Sequence, residues 1–453
     1  MLPYFTKQVR ILLLFLLISI LIPGVSKSLE STGNDLLLSI SIFSDPHLYD
    51  TTLGTKGLAF EEYLNSDRKM LRESEAILQS VIEMIANDNS QIVLIPGDLT
   101  KDGELHNHLL MAKYLRKLES FGKKVYVVPG NHDINNPQSF SYADGITNRV
   151  PTVTPEEFKA IYAEFGYDEA ISTDPNGSLS YIVEPVPGVW LYCLDACRWR
   201  ENDGSPEAIT GGRFSAETID WLKAKLAEGR SKGKLMIAMM HHNLVEHFLG
   251  QSSLFPDYVV ENWEELSNTF AEFGLNLTFT GHNHAHDARL RTTEKGIIID
   301  VMTSSIVTWP CAIRRVNIRR SGIVEVRSEK IVKVNYDFGR LEFQAYAKKQ
   351  LTNNLTSMIE NLLKQIGVPK AKVSKLAHFI VETYLGYLHG NESQFTTSDT
   401  EYTLETVKEI FENTPSISHL FPILEAMLKD LPPDDYEFTI DLRTGSITKA
   451  ELK

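Results

Sequence analysis

Between residue 37 and about residue 335 the chain switches repeatedly between short apolar runs and stretches with helical spacing, and this alternation restricts the fold more than any other feature. Segments 37–43, 91–95, 124–128, 189–194, 234–240, 276–280 and 296–301 read as strands. Most carry Ile, Val or Leu on both parities, the pattern of strands covered on two faces. Segments 71–86 and 105–121 place apolar residues at helical spacing, as in Leu78, Val81, Ile82 and Ile85. Another helix starts after Phe214, with Ser215 as its N-cap and Glu217 in its first turn. Beyond about residue 340 the pattern turns helical at 341–366, 373–388 and 417–428, and 436–442 reads as a strand returning to the main sheet. An α/β core with a C-terminal helical region is the expected class.

The amino terminus has the order of an export signal: Lys7 and Arg10, an apolar run at 11–22 broken only by Ser19, then Pro23-Gly-Val-Ser. The run is shorter than the ~20 residues that span a bilayer comfortably, so residues 1–26 are expected to direct export to a secreted, periplasmic or cell-surface location. Contact with a membrane is expected only through this segment if it stays uncleaved. Its removal would take the formal net charge from -14 to -16. So acidic a surface repels polyanions, which excludes a protein that tracks long nucleic acid but not one that takes a small phosphorylated substrate. Cys193, Cys197 and Cys311 match neither a disulfide framework nor a zinc knuckle and read as buried small hydrophobes. Asn176, Asn276, Asn354 and Asn391 fit the glycosylation acceptor pattern, a pattern short enough to arise by chance.

The chemistry lies where the strands end. Segment 37–43 runs into Ser44-Asp45-Pro46-His47, segment 91–95 into Pro96-Gly97-Asp98, and segment 124–128 into Pro129-Gly130-Asn131-His132-Asp133. Later strands end in Met240-His241-His242-Asn243 and Gly281-His282-Asn283-His284. In open α/β sheets, ligands gather beyond the carboxyl ends of the strands. Singly, an Asp-x-His or a Gly-Asp is most often a loop or cap. Five strand ends that all present imidazole, carboxylate or amide donors point instead to divalent ions such as Mn, Fe, Co, Ni or Zn, and one Asp can bridge two of them.

In this order the motifs Asp-x-His, Gly-Asp, Gly-Asn-His-Asp, His and Gly-His-x-His resemble the calcineurin-like metallophosphoesterase superfamily, over residues 37–305. Gly97-Asp-Leu-Thr-Lys-Asp-Gly-Glu with His108 following, Gly130-Asn-His-Asp-Ile-Asn-Asn-Pro, and Gly212-Arg-Phe-Ser-Ala-Glu-Thr-Ile-Asp-Trp-Leu are similar to its bacterial cyclic-nucleotide-phosphodiesterase-like branch. The resemblance implies a four-layer αββα sandwich, two mixed β-sheets flanked by helices. Together with the change to a helical pattern near residue 340, it gives a catalytic domain at 37–338 and a C-terminal, mainly helical accessory domain at 339–453. It implies that Asp45, His47 and His284 hold one divalent metal ion, that Asn131, His241 and His282 hold a second, and that Asp98 bridges them. Many relatives read His-His-Pro where this chain has His241-His242-Asn243, which leaves His242 as the alternative to His241. His132 resembles the family's catalytic histidine and is expected to assist the leaving group, with Asp133 orienting it. His108 and Asp195 are expected in the surrounding shell or against substrate, while His106, His286 and Asp287 read equally well as loop residues. Lys101 stands where purple acid phosphatases place an iron-binding tyrosine.

The implied reaction is hydrolysis of small phosphodiesters, such as cyclic nucleotides, by in-line attack of metal-activated hydroxide. A phosphomonoesterase or nucleotidase on the same core is the rival within the class. An exported, non-catalytic binding protein is the rival outside it, and its mark would be a lost ligand, yet all seven positions are filled.

Overall fold

The computed structural model describes residues 35–390, 392, 403–414 and 417–448; residues 1–26, expected to direct export, and Asn391 lie outside the described residues. The first strands and helices in chain order are β1 (Leu36–Ile42), α1 (Leu58–Asn65), α2 (Ser74–Ala86), β2 (Ile92–Pro96), α3 (Leu105–Ser120) and β3 (Lys124–Val128). The middle of the chain forms β4 (Phe140–Ser141), β5 (Asn148–Arg149), α4 (Pro155–Ile161), β6 (Ser172–Thr173), β7 (Tyr181–Val186), β8 (Val189–Leu194), α5 (Ala216–Ser231), β9 (Leu235–Met240), α6 (Gln251–Leu254) and α7 (Trp263–Phe273). Then come β10 (Leu277–Thr280), β11 (Asp287–Thr293), β12 (Gly296–Met302), β13 (Ala312–Arg319), β14 (Ile323–Lys330), α8 (Phe343–Gln365), α9 (Lys370–His389), α10 (Leu404–Glu412), α11 (Phe421–Ala426), β15 (Glu437–Asp441) and β16 (Ile447–Thr448).

Two 7-stranded sheets result, ordered β16-β15-β14-β13-β1-β2-β3 and β11-β12-β10-β9-β8-β7-β6. Each is mixed: β1, β2 and β3 run parallel, as do β8, β9, β10 and β12, while antiparallel pairs complete both sheets. The two-residue period of the strands divides the core. In β8, Val189, Leu191 and Cys193 join the cluster shared with β1 and β2, whereas Trp190, Tyr192 and Leu194 pack with Leu222 of α5 and Phe270 of α7. Helices α2 and α3 cover the first sheet through Leu78, Ile82, Met111 and Leu115. The expected four-layer sandwich of two mixed sheets flanked by helices, with a helical C-terminal region, is the observed architecture.

All seven apolar segments expected as strands are strands. Apolar runs do not mark β13 and β14, in which Arg and Glu alternate with Val and Ile and only one face is buried. Nor do they mark β7 and β11, and α10 was likewise not expected. The N-cap Ser215 accepts from the Thr218 amide, as its position predicts. In the C-terminal region, Phe343, Leu351, Val381 and Tyr387 belong to the main core cluster, whereas Leu376 and Phe379 of α9 pack with Ile410 and Phe411 of α10 in a cluster of their own. β15 pairs antiparallel with β14, so the chain does return to the first sheet. Cys193, Cys197 and Cys311 are free and buried. The side-chain amide of Asn276 donates to the Leu442 carbonyl and that of Asn354 to those of Leu64 and Asp67, so both acceptor-pattern asparagines serve the fold itself. No helix among the described residues is long and apolar enough to cross a membrane.

Candidate metal centre

The parallel strands β1, β2, β3, β9 and β10 all end at one edge of the sandwich, and the turns after them hold every residue singled out as a ligand. These turns are tight. Of nine non-glycine residues with positive φ among the described residues, Asp45, His47, Asp98, His282 and His284 make five. Asp and His tolerate this region better than most residues, and such strain persists where packing over-determines it, typically at functional sites. Two glycines permit the approach: a Cβ on Gly130 would collide with the Asp98 carboxylate, and one on Gly281 with Ser44 Oγ and Asp45 Oδ2.

Two donor groups converge there and share one residue. Asp45, His47, Asp98 and His284 offer ligand atoms within 4.8 Å of one another, and Asp98, His241 and His282 do the same. Asn131 joins the second group, its Oδ1 lying 3.0 Å from His241 Nε2. Asp98 Oδ2 is 3.5 Å from His47 Nε2 and 3.4 Å from His241 Nε2, so it stands between the two. The far nitrogens are fixed by outside acceptors: His241 Nδ1 by the Pro96 carbonyl at 2.8 Å, His284 Nδ1 by Thr308 Oγ1 at 3.1 Å, and His282 Nε2 by the Asp257 carbonyl at 3.0 Å. That leaves Nε2 of His241 and His284 and Nδ1 of His282 turned inward.

The donor set fits two divalent ions. The Nε2 atoms of His47 and His284 face each other at 3.0 Å, an approach that needs a proton or a cation between two lone pairs, and His47 Nδ1 is buried without a hydrogen-bond partner. Burial, and then basic neighbours, hold the pKa of His47, His282 and His284 well below the ordinary histidine value, so these rings are neutral and free to ligate. Burial raises Asp45 to about 7. Burial also opposes ionisation of Asp98, but His241, His132 and His47 outweigh it and hold that carboxyl well below its usual range. His241 in turn is raised to about 9, because Asp98 and Asp45 overcome the effect of its burial. Among the described residues, the ion-pair partners of Asp45 and Asp98 are all histidines, so no Lys or Arg neutralises the two carboxylates.

His132 lies at the rim, its side chain 25% exposed, with Nε2 4.0 Å from Asp98 Oδ2. Its Nδ1 is 2.7 Å from Asp102 Oδ1. Burial and Lys69 oppose its protonation, but Asp98 and Asp102 prevail and raise its pKa. The expected orienting residue, Asp133, does something else: it accepts from the backbone amides of Leu99, Thr100 and Gly130, tying the β2 and β3 turns together. The correction has a plain cause, since those three amides fill the Asp133 carboxylate. His108 also sits apart from the centre, bonded to the Asp133 carbonyl and the Tyr162 hydroxyl, and burial lowers its pKa to about 3. Asp195 is apart as well, held by Leu179, Cys197 and Trp199. His106 pairs with Asp50 at an exposed position, His286 with Ser328, and Asp287 with His247. Of the two adjacent histidines, His241 points to Asp98 while His242 is tied to the Thr210 carbonyl. Lys101 is fully buried between Asp102 and Glu104 and lies 4.2 Å from the Tyr63 ring. Sequence reasoning missed Asp102 and Thr308, although Asp102 lay inside a quoted motif, four residues after Asp98.

Solved structures resemble this fold. A dimetal phosphatase from Danio rerio is 15% identical, with a TM-score of 0.47, over 66% of this chain and 98% of its own. The purple acid phosphatase PPD1 from yellow lupin (Lupinus luteus) seeds is 13% identical, with a TM-score of 0.40, over 66% of this chain and 52% of its own. A Thermus thermophilus protein, TT1561, is 10% identical, with a TM-score of 0.34, over 65% of this chain and 99% of its own. Among curated proteins no match is found. The sequence profile of the calcineurin-like phosphoesterases matches residues 38–286, a span that takes in both donor groups and more than half of the chain. With that match over the same residues that converge on Asp98, this chain belongs to the calcineurin-like phosphoesterase family.

Proposed function

We propose that the protein is an exported dinuclear-metal phosphoesterase that hydrolyses small phosphodiesters, cyclic nucleotides among them. The observation that carries the reading is the sharing of Asp98 by two donor groups, with His132 beside it. Asp45, His47 and His284 would hold one ion, Asn131, His241 and His282 the other, and Asp98 both. Two divalent ions of the Mn, Fe, Co, Ni or Zn kind supply Lewis acidity there, acidifying water and neutralising charge on the phosphoryl group. The remaining work falls to the chain's own residues. Asp102 holds the His132 ring by Nδ1, which keeps Nε2 facing the centre, where it can hand a proton to the departing ester oxygen. The carbonyls of Pro96 and Asp257 and the Thr308 hydroxyl stop three imidazoles from turning. The cyclic-nucleotide-phosphodiesterase-like motifs support a diester, and the basic, apolar and small-residue order of residues 1–26 supports export.

A phosphomonoesterase on the same centre is the second reading. It draws on the same two donor groups, since a monoester dianion carries more negative charge for two divalent ions to neutralise. The test is hydrolysis of bis-p-nitrophenyl phosphate and p-nitrophenyl phosphate by the purified protein with each metal, together with bound-metal analysis, and Asp98→Ala as control. Two bound ions with diesterase activity that the control lacks is the expected result. Bound metal without hydrolysis of either ester would refute the proposal.

A further inference from the structure

Residues 63–70, the end of α1 and the turn leading to α2, border the metal centre and reach residues next to its donors at three points. Tyr63 donates to Asp102, the partner of His132, at 3.2 Å. The Arg68 guanidinium donates to the Tyr258 hydroxyl at 3.5 Å, and the Tyr258 ring lies 4.8 Å from that of His282. The Met70 amide donates to the Val307 carbonyl at 2.9 Å, one residue before Thr308, which holds His284. Two consecutive cations, Arg68 and Lys69, lie between these anchors. The Lys69 side chain is only 6% exposed, and its carboxylate partner is Asp67 at 3.1 Å. The C-terminal region takes part: Arg68 also donates to the Tyr384 hydroxyl of α9, and Asn354 of α8 holds the Leu64 and Asp67 carbonyls.

We propose that Arg68 and Lys69 form the phosphate-binding arm of this centre, taking non-bridging oxygens of the substrate phosphoryl group, with Tyr384 of α9 positioning Arg68. The proposal rests on the phosphoesterase reading and names the part of that site which recognises charge. A dianionic monoester gains more from two cations than a monoanionic diester does, so the arm sets the ratio between the two substrate kinds.

The test compares Lys69→Met, which keeps the buried stem, with Arg68→Gln, Arg68→Lys and Tyr384→Phe in the full metal-loaded chain. The readouts are bound metal, kcat and KM for p-nitrophenyl phosphate and bis-p-nitrophenyl phosphate, and the affinity for inorganic phosphate. Removing a charged hydrogen-bond donor is expected to weaken phosphate binding and raise KM about 10- to 100-fold, with bound metal unchanged and the monoester losing more than the diester. Arg68→Lys should recover part of what Arg68→Gln loses, and Tyr384→Phe should raise KM about 2- to 5-fold with kcat preserved. Wild-type phosphate affinity in both charge-removing variants, or loss of metal from either, would overturn the arm. Should Lys69→Met not fold, Arg68→Gln decides by the same readouts. If the wild-type chain binds metal and binds phosphate through Lys69 yet cleaves neither ester, the hydrolase reading falls and the arm stands.

Discussion

His132 Nδ1 lies 2.7 Å from Asp102 Oδ1, a pair formed between the turn after β3 and the turn after β2. It gives the ring at the rim of the centre one orientation and leaves Nε2 for a leaving group. His132→Ala is expected to lower kcat by about 100- to 10,000-fold with bound metal retained, the range of a general acid. Asp102→Asn should cause a smaller loss of the same kind. The fall should be steeper for a diester with an alkyl leaving group than for bis-p-nitrophenyl phosphate, whose nitrophenolate departs without a proton. Equal losses on both esters would remove His132 from that role.

Asp98 is common to both donor groups, so its loss should empty both together. Metal analysis of Asp98→Ala is expected to show neither ion, whereas His282→Ala should keep the ion proposed for Asp45, His47 and His284. Chelation of the wild-type protein should abolish hydrolysis and lower the melting temperature, since an ion that binds only the folded chain at 100 times its Kd stabilises it by about 2.7 kcal/mol. A melting temperature indifferent to chelator would contradict the placement of the ions.

Lys101, expected from the sequence at the place of the iron-binding tyrosine of purple acid phosphatases, is buried among Asp102, Glu104 and the Tyr63 ring. The visible spectrum of the iron-loaded protein is therefore expected to lack a tyrosinate-to-iron band. Lys101→Met would leave two buried carboxylates without their cation and should destabilise the fold by about 3–5 kcal/mol, measured by denaturant unfolding. A purple protein, or a neutral Lys101→Met, would count against this geometry.

His247, in the loop that follows His241, is buried between Asp287 at 2.9 Å and Asp300 at 3.5 Å. Burial opposes its charge, but the two carboxylates raise its pKa from 6.5 to about 9. A folded pKa above the unfolded one stabilises the fold fully below pH 6.5, and the contribution is lost as pH rises through about 9. The melting temperature should fall across that window, and His247→Gln should flatten the fall. An identical slope in the variant would show that His247 is not its source.

The strands and the donors were legible for one reason. In parallel strands buried on both faces, apolar runs are conspicuous, and the ligands follow each run within a few residues, as His241 follows Met240. β13 and β14 were not, because one-sided strands such as Arg314-Arg315-Val316-Asn317-Ile318 read as polar chain. The segment that holds Arg68 and Lys69 carried no signal either, since nothing in its neighbourhood along the chain marks it as bordering a site assembled from residues 45 to 284.

The amino-acid sequence by itself determined the alternation of elements, the number and chemical kind of the donors, and the family to which their order belongs. These properties are local, set by periodicity and by the few residues after each strand. Only the tertiary structure decided that Asp102 and not Asp133 orients His132, that His241 and not His242 turns inward, and which nitrogen each ring presents. Those choices depend on hydrogen bonds between turns that are distant in the chain, and such bonds exist only once the two sheets are packed.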